Sequence, residues 1–78
     1  MKSVLVVGIG RFGRHCAREL MSLGHEVMAV DINEKNIDSI ANDVSSAQIG
    51  DATDPLYMES LGISDFDMCV ICIGDNFQ

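Results

Sequence analysis

Basic residues are scarce in this sequence. Five Lys and Arg residues stand against twelve Asp and Glu residues, the formal net charge is −7 at pH 7, and no basic run occurs. Proteins that bind DNA, RNA or an anionic membrane surface use clustered Lys and Arg side chains to contact phosphate groups. The composition therefore argues against direct binding to nucleic acid or to a membrane surface.

Long apolar runs are also lacking. No stretch approaches the roughly 18–20 apolar residues that a transmembrane helix needs, so we expect no direct membrane insertion. Glycine and arginine residues interrupt the apolar segment that begins at residue 4 too early for a secretory signal. These features favour a cytoplasmic protein whose 78 residues form one small domain.

Cysteines number only three. Cys69 and Cys72 form a C-x-x-C pair, a spacing found in metal and redox sites. However, the surrounding residues read as a β-strand, in which side chains three residues apart point to opposite faces. We therefore predict that both are buried structural thiols, and that Cys16 is a third.

A glycine-rich motif follows directly on the first apolar run. It is Gly8-Ile9-Gly10-Arg11-Phe12-Gly13, and Asp31 follows at the end of a second apolar run. A G-x-G-x-x-G motif between a strand and a helix, with a carboxylate after the next strand, predicts dinucleotide binding. In that interpretation Gly8 allows a tight turn, Gly10 lets a pyrophosphate approach the backbone, and Gly13 lets the helix pack closely. The helix N-terminus then offers N–H groups to the phosphates.

Apolar periodicity and turn residues predict four strands that alternate with three helices. The strands cover residues 3–7, 26–30, 47–49 and 67–73. The first helix covers residues 11–23 and ends before Gly24. The second helix is capped by Asn33. The third helix begins at Pro55, is capped by Thr53 or Asp54, and ends at Gly62. The apolar stripe predicted for the first helix is Phe12, Cys16, Ala17, Leu20 and Met21.

This alternation predicts a parallel sheet in an α/β, Rossmann-like fold with helices on both faces. Right-handed crossovers that reverse direction after strand 3 give the strand order 3-2-1-4, truncated after strand 4. Ligands of such sheets bind at the switch point, here the crevice between strands 1 and 4. The glycine motif lies on one side of that crevice, and on the other side lie Ile73, Gly74 and Asp75.

The remaining candidate site residues follow the second and third strands. Asp31 is either a solvated carboxylate or the acceptor for the ribose hydroxyls of an adenosine, and its charge favours NAD, ATP or ADP over NADP. Arg11 is either an exposed helix residue or a contact to the phosphates. Asp51 and Ala52, just past strand 3, are placed to line an adenine pocket.

The sequence contains no recognisable catalytic motif. No Ser-His-Asp order or metal-ligand spacing occurs, and the Tyr-x-x-x-Lys pair of short-chain dehydrogenases is absent because Leu61 stands four residues after Tyr57. We therefore predict a protein that is not an enzyme and that uses its nucleotide as a signal. Two alternatives stay open: a fragment of an NAD-dependent oxidoreductase, and a fragment of an S-adenosylmethionine-dependent methyltransferase. Arg11 counts against the second, because that cofactor has no phosphate.

Taken together, the motifs resemble the N-terminal lobe of an RCK domain (regulator of potassium conductance, also called the TrkA N-terminal or KTN domain). The segments that carry the resemblance are Val6 to Gly13, Gly24-His25-Glu26-Val27, Val30-Asp31-Ile32-Asn33, Gly50-Asp51-Ala52-Thr53-Asp54 and Ser60-Leu61-Gly62-Ile63. The resemblance spans nearly all of residues 1–78, which would be a single, partial lobe. It is strongest to the cytosolic gating subunits of bacterial Ktr and Trk potassium uptake systems.

The resemblance implies a regulatory subunit that binds ATP, ADP or NAD(H) and controls a potassium channel or transporter in the membrane. It implies that Arg11 contacts the phosphates and Asp31 the ribose, and that Ile32 and Asn33 flank the ribose and adenine. It further implies that Asp51 and Ala52 meet the adenine, and that the segment Ile73-Gly74-Asp75 closes the crevice. A complete lobe continues for about as many strands again, so ligand or metal contacts from that part are not assigned.

Strand 4 carries a further expectation about assembly. It reads as a strand buried on both faces, yet the order 3-2-1-4 leaves it at the sheet edge, which invites pairing with another chain. The resemblance points the same way, because these lobes self-associate. We therefore predict a homo-oligomer, at least a dimer and in the family's manner a ring, at the inner face of the cell membrane.

Overall fold

Strands and helices alternate along the chain in the computed structural model, which describes residues 1–72. The strands are β1 (Ser3–Val7), β2 (Glu26–Asp31), β3 (Ser46–Ile49) and β4 (Met68–Ile71). The helices are α1 (Arg11–Ser22), α2 (Glu34–Ile40) and α3 (Pro55–Ser60), with short 3₁₀ helices over Ala41–Asp43 and Ile63–Asp65. The predicted elements are therefore present: β1 has the predicted bounds, and the other predicted ends differ from the observed ones by no more than two residues.

The four strands form one parallel sheet in the order β3-β2-β1-β4, which confirms the predicted topology. Val7 at the end of β1 lies opposite Val30 on one side and Ile71 on the other. The carboxyl ends of the three adjacent strands thus meet at one edge of the sheet. This is the edge at which open α/β sheets bind their ligands.

Alternate residues of the central strands enter two separate apolar clusters. Val4 and Val6 of β1 pack with Ala17 of α1 and Ile37 of α2, whereas Leu5 and Val7 lie in the cluster on the opposite face. There α3 supplies the cover through Tyr57, Met58 and the adjoining Leu61. The sheet is therefore covered by helices on both faces, and β1 is buried on both because its residues alternate.

Two glycines of the motif have the backbone roles that the sequence predicts. Gly8 has φ 90°, in the left-handed region that residues with a side chain rarely adopt. Gly13 is buried in α1, and a Cβ atom there would clash with the carbonyl oxygen of Gly8. The first turn of α1 consequently lies directly against the end of β1.

Side-chain caps fix where α2 and α3 begin. The Asn33 side chain accepts a hydrogen bond from the Lys35 N–H, as predicted. Asp54, one of the two candidates, caps α3 by accepting from Leu56 N–H, and Pro55 opens the helix. In both cases the residues just before the helix lie at the carboxyl edge of the sheet.

Three predictions about burial are wrong. Phe12 is 57% exposed, so it does not belong to the buried stripe of α1. The strand predicted over residues 67–73 is the shorter β4, in which Cys69 is exposed and Ile71 is 61% exposed. Because β4 is an edge strand, the helices that cover the centre of the sheet leave it partly uncovered. Cys16 is half-buried rather than buried, whereas Cys72 is buried, and none of the three cysteines forms a disulfide bond.

Candidate nucleotide-binding site

A cavity of about 460 Å³ opens at the carboxyl edge of the sheet. Its size falls in the range of about 300–1,000 Å³ that small-molecule sites occupy. The ends of β1 and β2 and the loops after β1, β2 and β3 line it. The lining residues among those described are Val7, Gly8, Gly10, Asp31, Ile32, Asn33, Asn36, Gly50, Asp51, Ala52, Thr53 and Cys72.

Asp31 joins the glycine loop to the start of α2 through three hydrogen bonds. Its Oδ2 atom accepts from the backbone N–H of Ile9 over 2.7 Å and from Nδ2 of Asn36 over 3.1 Å. Its Oδ1 atom accepts from the Asn33 N–H over 2.8 Å. The Gly8 N–H also donates a hydrogen bond to the Val30 carbonyl over 2.9 Å, so the ends of β1 and β2 are joined through the backbone as well. The carboxylate is thus held by donors from two different segments.

The helix N-terminus beside the cavity belongs to α1, which is 12 residues long. Its N-cap is Gly10, which has no side chain with which to cap the helix. An α-helix of this length presents N–H groups and the positive end of its dipole to whatever lies before it. The arrangement suits an anionic group such as a phosphate.

The loop after β3 is held by a local pair, Asp51 and Thr53. Oδ1 of Asp51 accepts from both the N–H and the hydroxyl of Thr53, over 2.9 and 2.6 Å. These two bonds favour the charged carboxylate, so they hold the pKa of Asp51 below its ordinary value. The Gly50 N–H also donates to the Asp31 carbonyl over 3.0 Å, which ties the loop to the end of β2.

Tyr57 packs against the same loop from α3. A Cβ atom at Gly50 would clash with the Tyr57 ring, and the Tyr57 hydroxyl donates to Oε1 of Gln48 over 3.0 Å. Partial burial of the ring raises the pKa of Tyr57 above its ordinary value, because burial disfavours the phenolate. Tyr57 therefore supports the loop from outside the cavity.

The structure brings most of the predicted site residues to one place. Those that line the cavity are Gly8, Gly10, Asp31, Ile32, Asn33, Asp51 and Ala52. Arg11 and Phe12 are exposed on the first turn of α1, and neither is among the described residues that line the cavity. Gly13 acts by close packing instead. Ile73, Gly74 and Asp75 lie outside the described residues.

Sequence analysis missed two polar residues of the cavity. The sequence pattern indicates Thr53 only as a candidate helix cap, but its hydroxyl and N–H donate hydrogen bonds to Asp51. Asn36 had no signal of its own, although it lies one helical turn from the Asn33 cap and thus on the same side of α2. Only the tertiary arrangement brings its amide to Asp31.

Residues 1–72 contain neither a metal-ligand cluster nor a helix that could span a membrane. None of the described His, Cys, Asp and Glu residues gather in a group of three or more that could hold a metal ion. Within the same residues, no helix has the length and apolar character needed to cross a membrane.

Comparison with known proteins finds relatives of this chain over nearly its whole length. The chain is 43% identical to the Ktr system potassium uptake protein A of Bacillus subtilis (strain 168) over 77 residues, 99% of this chain and 35% of that protein. It is 42% identical to the Ktr system potassium uptake protein C of the same organism, with the same coverage. It is 33% identical to the Trk system potassium uptake protein TrkA of Mycobacterium tuberculosis (strain ATCC 25618 / H37Rv) over 73 residues, 94% of this chain and 33% of that protein.

The chain thus spans about a third of the length of these relatives. The sequence model of the TrkA-N domain matches residues 4–78. This is the family that the sequence motifs resemble, and the Rossmann-like sheet is the fold that the resemblance implies. The chain belongs to the TrkA-N domain family.

Proposed function

We propose that this chain is a nucleotide-sensing regulatory module of a potassium transport system. It binds NAD(H), ATP or ADP in the cavity at the carboxyl edge of the sheet, and the bound nucleotide controls potassium movement through a membrane transporter. The observation that carries the proposal is the hydrogen bond between Asp31 and the glycine loop, because it joins the carboxylate that we propose for the ribose to the turn that we propose for the phosphates. The names of the three relatives described above, each a potassium uptake protein, support the transport role.

The residues present suit an adenosine nucleotide. Asp31 would accept a hydrogen bond from the ribose, and its negative charge disfavours a 2′-phosphate. The glycine loop and the N-terminus of α1 would hold the phosphates. Ile32, which is 68% exposed at the mouth of the cavity, and Ala52 offer apolar surface to the adenine.

Arg11 is assigned to the phosphates in this proposal. Its side chain starts from the first residue of α1, next to Gly10 in the cavity wall. A guanidinium group at that position adds a charge-assisted contact to an anion held at the helix N-terminus. Arg11 lies outside the cavity lining, so the proposal requires its side chain to turn toward the phosphates when they bind.

The proposed role is regulatory rather than catalytic, and it sets the cellular location and the partners. A module that controls a membrane transporter works in the cytoplasm, at the inner face of the membrane, through contact with the transporter subunit. We further propose that it works as a homo-oligomer, a dimer or a ring, because a change of shape in an assembly is readily passed to a symmetric partner.

Calorimetric titration with ATP, ADP, NADH, NADPH and S-adenosylmethionine tests the proposal. We expect binding of at least one of the first three, weaker binding of NADPH, and none of S-adenosylmethionine. Arg11→Ala should weaken ATP binding more than adenosine binding. Arg18→Ala is the matched control, since it removes the same charge farther along α1, where Arg18 pairs with Asp43.

Two results would overturn this reading. Absence of binding to all adenine nucleotides would remove the sensing function. Steady oxidation of NADH that depends on one small carbonyl compound would instead support the oxidoreductase alternative.

A further inference from the structure

Asp31 has little acceptor capacity left for a ligand. A carboxylate offers about four lone-pair sites on its two oxygens. Oδ2 already accepts from Ile9 and Asn36, and Oδ1 accepts from Asn33. The carboxylate as it stands can therefore accept one further hydrogen bond, through Oδ1, whereas a ribose 2′,3′-diol brings two hydroxyl donors.

The polar side chains around the cavity differ in their freedom to accept the second hydroxyl. The Asn33 oxygen is engaged in the α2 cap, where it accepts from the Lys35 N–H. Thr53 donates its hydroxyl to Asp51, and no hydrogen bond among the described residues links this pair to the Asp31 side chain. Asn36 is the lining residue that contacts the Asp31 carboxylate directly through its side chain.

The bond to Asp31 also fixes the orientation of the Asn36 amide. An ionised carboxylate only accepts hydrogen bonds, so the NH₂ group of Asn36 must face Asp31. The amide oxygen is then on the other side of the group, and among residues 1–72 it receives no hydrogen bond. The amide oxygen of the half-buried Asn36 is thus a free acceptor next to Asp31, the residue predicted to contact the ribose.

We propose that Asn36 is a second ribose-recognition residue, which accepts one hydroxyl of the diol while Oδ1 of Asp31 accepts the other. This inference rests on the proposed nucleotide function and deepens it. Recognition of the diol by two residues makes the site sensitive to both hydroxyls. The loss of either hydroxyl leaves a different acceptor unpaired.

Titration with ADP, 2′-deoxy-ADP and 3′-deoxy-ADP tests the inference. With the unaltered chain, we expect each deoxy compound to bind about tenfold more weakly than ADP, the scale of one hydrogen bond. We call each of these losses of affinity relative to ADP a deoxy penalty. With Asn36→Ala, one of the two penalties should disappear while the other stays near its original size. Asn36→Leu keeps the bulk of the side chain and should behave in the same way, and Asn42→Ala, an exposed position outside the cavity, should keep both penalties.

The possible failures are distinguishable. If both penalties persist in Asn36→Ala and Asn36→Leu, Asn36 does not contact the ribose and the inference is wrong. If both penalties shrink together, Asn36 acts only by holding Asp31 in place, and direct recognition is also excluded. If the unaltered chain binds no ADP, NADH or ATP, the proposed function itself fails, and the inference fails with it.

Discussion

The carboxylate of Asp31 accepts a hydrogen bond from the backbone N–H of Ile9 over 2.7 Å. One residue ends β2 and the other lies in the turn after β1, so the bond joins the two strand ends that border the cavity. A charged acceptor bonded to a backbone N–H makes a stronger contact than a neutral one. Asp31 thereby shapes the glycine loop in addition to its proposed contact with the ribose.

Asp31→Ala should therefore impair both folding and binding. Removal of the carboxylate leaves the Ile9 N–H and the Asn36 amide without their acceptor, and we expect a loss of about 1–3 kcal/mol in the free energy of unfolding. We expect nucleotide binding to weaken by about the same amount, for loss of a charged acceptor. Urea denaturation and calorimetric titration measure the two effects separately.

Asp38→Ala is the matched control for this experiment. Asp38 is an exposed carboxylate on α2 and is not among the described residues that line the cavity. Its removal changes the net charge by the same amount and should alter stability by less than about 0.5 kcal/mol. Equal nucleotide affinity of Asp31→Ala and the unaltered chain would remove Asp31 from the binding site.

Gly13→Ala should destabilise the fold although alanine is the better helix former. In an exposed helix interior the change from Gly to Ala is stabilising by about 1 kcal/mol. At position 13 the new Cβ atom would clash with the Gly8 carbonyl oxygen, which is backbone and cannot turn aside. We expect a net loss of about 1–3 kcal/mol in the free energy of unfolding, as for other overpacked positions.

The control for Gly13→Ala is His15→Ala, an exposed change on the same helix. It should alter the free energy of unfolding by no more than about 0.5 kcal/mol in urea denaturation. A Gly13→Ala chain as stable as its parent would show that α1 can move away from β1 at no cost.

The pKa of Asp51 should depend on the Thr53 hydroxyl. That hydroxyl is the larger cause of the lowered pKa, and the Thr53 N–H is the smaller one. A pKa below the unfolded value means that the bonds to Asp51 stabilise the fold above that unfolded value, near pH 4, and that this contribution is lost as the pH falls through the folded value. Thr53→Val should therefore raise the pKa of Asp51 in a carboxyl NMR titration.

Thr53→Ser keeps the hydroxyl and should leave the pKa of Asp51 lowered. The backbone bond remains in both variants, so Thr53→Val should return only part of the shift. An unchanged Asp51 pKa in Thr53→Val would assign the whole effect to the backbone N–H.

Local sequence patterns predict the framework of this fold because each rests on a strong local rule. The order 3-2-1-4 follows from alternating elements and right-handed crossovers, and the caps at Asn33 and Asp54 follow from side chains that bond two residues ahead. The burial of β4 was not predictable in this way. Its apolar residues suit a strand buried on both faces, but exposure depends on which helices reach the edge of the sheet.

The network around Asp31 shows the same limit at the candidate site. The glycine motif and the carboxylate are a recognisable pair at a fixed spacing, so sequence analysis found both. The partnership of Asp31 with Asn36 depends on the direction in which α2 leaves β2. No spacing rule covers that contact, which is why Asn36 emerges only from the structure.

The last prediction concerns the free side of β4. Within residues 1–72 this strand pairs only with β1, and its residues Met68 and Ile71 are 46% and 61% exposed. An exposed apolar edge strand favours pairing with a second chain. We therefore expect sedimentation equilibrium at tens of micromolar to show a dimer or a larger assembly, and Ile71→Lys to shift it toward the monomer of 8.5 kDa.

Leu56→Lys, at a position that is 76% exposed on α3, adds the same charge away from this edge and should leave the assembly intact. A stable monomer of the unaltered chain would exclude self-association, and equal effects of the two substitutions would place the interface elsewhere.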